Sequence, residues 1–115
     1  MDELAVMTPK KSLKFALDFD ETYTEDPELW NHFICNCYKR GHTVTFVTYR
    51  FDSWENTDIK TVAHAHGMDI VFTAGKQKMH CFAADIWIDD SPQTIVSYVD
   101  LSEMIIGCEV NKDTE

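Results

Sequence analysis

No stretch of this 115-residue sequence approaches the roughly 20 consecutive apolar residues that span a bilayer, so no membrane role is expected. The first eleven residues carry Asp2, Glu3 and Pro9 and lack the apolar segment of a secretory signal; a cytoplasmic location is therefore the expectation. Basic residues are scarce, ten Lys and Arg against twenty Asp and Glu, for a net charge of −10. Affinity for nucleic acid comes largely from neutralising phosphates, which argues against strong general nucleic-acid binding. Lys10, Lys11 and Lys14 cluster but make only a weak patch. Part of the acidity is spread thinly over Glu103, Glu109, Asp113 and Glu115, a solvated surface and tail. The four cysteines, Cys35, Cys37, Cys81 and Cys108, are too few and too scattered for a disulfide framework. Cys35 and Cys37 stand closer together than zinc-ligand pairs, and positions two apart on a helix face different ways, so they read as small hydrophobes. Repeats, low-complexity runs and linkers are absent too. One domain is expected over residues 1–115, with its core at about 13–107 and a loose tail at 108–115.

What the sequence does contain is an alternation of β-rich apolar runs with helical patterns. Leu13–Phe19 reads as a strand and Pro27–Lys39 as a helix, with Asp26 as its N-cap, Pro27 in its first turn and Gly41 as its stop. His42–Thr48 is a second strand, and a helix from about Asn56 to His66 ends at Gly67. Asp69–Thr73 makes a third strand, Gln77–Ala83 a short helix and Asp85–Asp89 a fourth strand. Ser91 and Pro92 open a further helix running to Val99, and Met104–Ile106 is a candidate fifth, edge strand. Trp30, Phe33, Cys37 and Trp87 fall at core positions, whereas His64, His66 and His80 read as solvated or internally satisfied histidines. The fold class is α/β: a Rossmann-like, mostly parallel sheet of about five strands flanked by helices on both faces. In such sheets ligands bind at the carboxyl ends of the strands.

Chemistry-bearing residues gather at those ends. The first strand ends in Asp18-Phe19-Asp20-Glu21-Thr22, the second in Thr48, the third in Thr73 and the fourth in Asp89-Asp90, with Lys76 and Lys78 just before. Any one of these is ordinary turn polarity. Four carboxylates on one rim, however, repel one another at close range, and a hard dication held by oxygen ligands resolves the repulsion. Mg²⁺ suits such a site, since it takes a few carboxylates plus water and phosphate.

Phe15–Thr24 (FALDFDETYT) resembles motif I of the haloacid dehalogenase (HAD) superfamily, DxDx[TV] after an apolar strand. Thr43–Thr48 is similar to motif II, a strand ending in Thr or Ser, and Ile86–Pro92 (IWIDDSP) to motif IV, an acidic pair after the last catalytic strand. Lys78, or else Lys76, matches the motif III lysine; Lys78 is preferred because it follows a TxGxxK turn formed by Thr73 and Gly75. The resemblance covers residues 13 to 97. It implies a Mg²⁺-dependent phosphomonoester hydrolase in which Asp18 attacks phosphorus, giving an aspartyl-phosphate. By the same resemblance Asp20 protonates the leaving oxygen and then deprotonates water, Thr48 hydrogen-bonds the phosphoryl group and Lys78 neutralises charge. Asp18, the Asp20 backbone carbonyl and Asp89 or Asp90 hold the metal. The presence of Asp20 favours phosphate over halide chemistry, because a halide leaves without a proton.

The chain departs from the family pattern in having no cap domain: only Glu21–Asp26 separate motif I from the first helix. Specificity then falls to the loops at the rim. Thr22, Tyr23 and Arg50 are candidate substrate-binding residues, Arg50 as an anion clamp, and Tyr23, Tyr49, Phe51 and Trp54 are candidate stacking surfaces for a planar group. A phosphorylated small molecule or nucleotide is the expected substrate, with a phosphorylated nucleic-acid end second. A capless chain can also borrow a lid from a neighbouring subunit, so an oligomer is compatible. Two rivals share the ingredients: a phospho-accepting receiver-like module, against which the order of Thr, Lys and the last acidic pair argues, and an inactive HAD-like binding protein, which often lacks one of Asp18, Asp20 or the lysine.

Overall fold

The computed structural model describes residues 9–97. Among the described residues there are four strands, β1 (Lys14–Leu17), β2 (Thr43–Thr48), β3 (Ile70–Phe72) and β4 (Ile86–Ile88), in one sheet of order β3-β2-β1-β4. Every pairing is parallel. The candidate fifth strand at Met104–Ile106, the end of the helix expected to reach Val99 and the tail at 108–115 lie outside the described residues.

Two α-helices join the strands, α1 (Pro27–Lys39) and α2 (Thr57–His66). Local chemistry sets their ends. Asp26 accepts a hydrogen bond from the Leu29 N–H at 3.2 Å, and Pro27 occupies the first turn, where no intrahelical partner for its nitrogen is needed. At the end of α2, Gly67 takes a left-handed φ of 67°. Its N–H bonds the His64 carbonyl and the Met68 N–H bonds that of Ala63, the pairing of a Schellman turn.

Both helices pack on one face of the sheet. Leu17, Val44 and Phe46 share a core with Ile34 and Cys37 of α1 and with Ile59 and Ala63 of α2. Among the described residues this departs from the expectation of helices on both faces. Strand order explains it: β1, β2 and β3 succeed one another in a single direction, and two right-handed crossovers in that direction lie on the same side. The second face carries Ala16, Thr45, Val47 and Trp87. It is crossed by the return connection from β3 to β4, where Phe82 meets Trp87 edge-on at 6.4 Å.

Two further expectations are corrected. In place of a helix over Gln77–Ala83 that connection holds one turn of 3₁₀-helix, Lys78–His80, and after β4 the helix expected from Ser91 is another such turn, Pro92–Thr94. Ser91 makes no side-chain cap bond there. Segments this short cannot offset the cost of helix nucleation, and the backbone is used for tertiary bonding instead: the Met79 N–H donates to the Ile95 carbonyl at 3.0 Å.

The centre of the core is aromatic. Phe19 stacks on Tyr23, and both rings meet Phe46 edge-on at 5.2 and 5.5 Å. Phe46 is fully buried. Phe46→Ala is therefore expected to cost about 3–5 kcal/mol, read as a loss of unfolding free energy in a denaturant titration.

Candidate functional site

The sheet order places β1 between β2 and β4, so the residues that follow or end those three strands are neighbours at one rim. Asp18 directly follows β1 and keeps strand-like pairing, its N–H donating to the Ile88 carbonyl at 2.9 Å. Thr48 ends β2, and Asp89 and Asp90 directly follow β4. The turn after Asp18 folds back through Glu21, whose φ of 65° is left-handed. It brings Thr22 to within 3.1 Å of both Asp18 Oδ2 and Asp90 Oδ1. The hydroxyl has one proton to donate, and it also accepts the Asp90 N–H at 3.2 Å.

Lys78 enters from the return connection. It is only 2% exposed, and its Nζ lies 2.8 Å from Asp18 Oδ1 and 2.5 Å from Asp89 Oδ2. Two of its three donors are thus engaged, leaving one for the cleft it lines. Asp89 is oriented from its other side by the Ser91 N–H, which donates to Oδ1 at 2.9 Å. Lys76 is exposed. Of the two lysines left open by the sequence, Lys78 is the one that reaches the carboxylates.

Burial raises the Asp18 carboxyl from its ordinary 3.8 to about 6; the hydrogen bond and charge of Lys78 oppose this, while Asp89 and Asp90 add to it. The exposed Asp90 shifts the other way, to below its ordinary value, chiefly through its hydrogen bond with Asp18. One lysine does not balance three carboxylates. Oxygens of Asp18, Asp89 and Asp90 all lie within 4.8 Å of one another, a set of hard donors that fits a small dication such as Mg²⁺. The Asp20 carboxylate is not in this set.

Asp20 is held elsewhere. Arg50 Nε and Nη2 donate to its two oxygens at 2.9 and 2.7 Å. The remaining Arg50 donors go to Asp58, at 2.8 and 2.9 Å, and to Asn56 Oδ1 at 3.1 Å. All five N–H groups of the guanidinium are used. The expectation that Arg50 clamps a substrate anion is corrected accordingly: no donor is left to do so. Its own pKa is raised, first by Asp58 and then by Asp20, and Asp58 is lowered by Arg50.

Tyr23 needs a second correction. It was expected at the rim, but it is 5% exposed, stacked on Phe19 with its hydroxyl donating to Asn31 at 2.7 Å. Tyr23, three residues beyond Asp20, folds under the turn because Phe19 and Phe46 offer it a dry surface. Tyr49, Phe51 and Trp54 do remain exposed.

The cleft bounded by these groups measures about 140 Å³ and includes Asp18, Asp20, Thr48, Tyr49, Lys78 and Asp90. Thr48 is buried, and its Oγ1 accepts the Arg50 backbone N–H at 3.3 Å. Ser91 and Thr94 also line the cleft, and sequence reasoning missed both, having treated Ser91 as a helix cap. Asp58 was missed as well. In sequence it is an acidic residue in a helix's first turn, a common pairing with the helix dipole, and nothing there ties it to Arg50. Pockets that enclose drug-sized ligands run to roughly 300–1,000 Å³, so this cleft is too small to enclose one. No family model matches the chain, and no curated protein or solved structure matches it either. No helix among the described residues is long and apolar enough to cross a membrane.

Two outcomes follow from these charges. Lys78→Met leaves Asp18 and Asp89 buried without a cation and is expected to cost about 3–5 kcal/mol in chelator-treated protein, whereas Lys76→Met stays within about 0.5 kcal/mol; denaturant titrations compare them. For Asp18, the folded-state pKa lies above the unfolded one. Its contribution to stability is therefore fully present below pH 3.8 and lost as the pH rises through about 6. Asp18→Asn, which cannot ionise, should gain stability relative to wild type between pH 4 and pH 7 under chelator, measured by thermal melting at each pH.

Proposed function

We propose that this chain is a phosphomonoester hydrolase that works with Mg²⁺ through an aspartyl-phosphate on Asp18. The observation that carries the reading is the meeting of Asp18, Asp89 and Asp90 with Lys78 at the carboxyl ends of three adjacent parallel strands. The motif resemblance to the HAD superfamily supplies the roles. Asp18 is the nucleophile, attacking phosphorus as the bond to the ester oxygen breaks. Asp20, on the wall of the same cleft, gives the leaving oxygen its proton and then takes one from the water that releases phosphate. Lys78 and the Thr48 hydroxyl meet the phosphoryl oxygens, where charge develops. Asp18, Asp89 and Asp90 would hold the metal, which when bound neutralises charge on the phosphoryl group.

Cleft size and surroundings support the substrate class. About 140 Å³ admits a phosphoryl group, and the rest of the substrate lies across the β2–α2 loop. That loop exposes Tyr49, Phe51 and Trp54, at 42%, 70% and 82%. Aromatic faces of this kind stack planar groups, at roughly 1–3 kcal/mol per nucleobase. A nucleotide is accordingly the proposed substrate, ahead of a phosphorylated nucleic-acid end, which a net charge of −10 opposes.

The test is release of phosphate from nucleoside monophosphates and a generic aryl phosphate, with and without Mg²⁺. Turnover should require Mg²⁺ and fall to the background rate in Asp18→Asn, and calorimetry should show no Mg²⁺ binding to the Asp89→Ala/Asp90→Ala double variant. Metal-independent turnover, or near wild-type rates in Asp18→Asn, would overturn the reading.

A further inference from the structure

The donor count at Arg50 shows where this residue's hydrogen-bonding capacity is spent. One side of the guanidinium meets Asp58 and Asn56, both at the start of α2, and the other meets Asp20. The α2 side is anchored. Asn56 is 5% exposed and its amide donates to the Phe51 carbonyl at 2.7 Å, which turns its Oδ1 towards Arg50. Asp58 Oδ1 also accepts the Ile59 N–H at 2.7 Å. Beneath, the guanidinium lies over the Phe19 ring at 5.2 Å. Asp20, by contrast, sits in a turn with half its side chain in solvent and has no side-chain partner but Arg50 among the hydrogen bonds described. Its rotamer is therefore set by Arg50.

We infer that Arg50, braced by Asp58, is the positioning residue for Asp20 in proton transfer to the leaving group. The inference rests on the role proposed above for Asp20. A carboxyl group has about four sites on its two oxygens; the planar fork of Arg50 occupies two and fixes the plane of the group, so the remaining two, one of which carries the proton given to the leaving oxygen, point in a set direction from the cleft wall. A lysine offers a point charge and no such fork. Bracing matters because an arginine with a free second edge can turn towards any anion that enters.

Leaving-group dependence separates positioning from simple structure. An alkyl phosphate needs a proton on its departing oxygen, whereas 4-nitrophenyl phosphate leaves almost unaided. General acid catalysis is typically worth about 10²–10⁴-fold, so misdirecting the acid should forfeit at least about 10-fold of it. The full chain with Mg²⁺ is assayed on glycerol phosphate and 4-nitrophenyl phosphate, with thermal midpoints recorded alongside. Asp58→Ala and Arg50→Lys should lower kcat for glycerol phosphate by that factor, with little change for 4-nitrophenyl phosphate and none in KM, and Asp58→Asn, which retains an acceptor, should recover part of the loss. Equal losses on both esters, no loss on either, or a rise in KM on both would overturn the positioning role. A wild-type chain inactive on both esters overturns the proposed hydrolase itself, and this inference with it.

Discussion

Lys78 between Asp18 and Asp89 is the interaction on which the rest of the rim depends. Three carboxylates approach within 4.8 Å there, and one ammonium, itself 2% exposed, stands among them. At such burial an unpaired charge is far costlier than the pair is worth. The return connection is held accordingly: its one turn of 3₁₀-helix places Nζ against two carboxylates that follow two different strands. The connection's path and the site's geometry are set by the same contacts.

A second charge network lies outside the first and weighs less. Arg50, Asp20 and Asp58 have side chains 25%, 51% and 55% exposed, where solvent screens each pair to about 1 kcal/mol or below. Its consequence is directional. Five donors in one plane, all satisfied, tie the turn after β1 to the first turn of α2. The inner network governs whether the carboxylates can stand together; the outer one governs which way Asp20 faces.

Much of this was legible residue by residue. The α1 boundaries follow from Asp26, Pro27 and Gly41, whose effects are local and need no knowledge of the fold. The preference for Lys78 over Lys76 rested on the turn before it, and the buried position of Lys78 accords with it. The failures share one cause. Tyr23 and Arg50 were assigned to the rim by their place in a loop, but their partners, Phe46 for one and Asp58 for the other, lie 23 and 8 residues away. The helices expected at Gln77 and Ser91 failed because a short segment takes the conformation its tertiary bonds dictate.

The sequence by itself determined the four strands, the helices α1 and α2 and the set of polar residues at the strand ends, because period, capping and turn chemistry act over a few residues. Tertiary structure alone decided that both helices share one face, that Tyr23 is core, that Asp20 belongs to Arg50, and that Asp18, Asp89 and Asp90 meet around Lys78. Those outcomes turn on strand order and on which long side chain reaches which partner. Such distances are fixed only when the sheet is assembled, since pairing of β1 with both β2 and β4 brings together residues up to 72 positions apart.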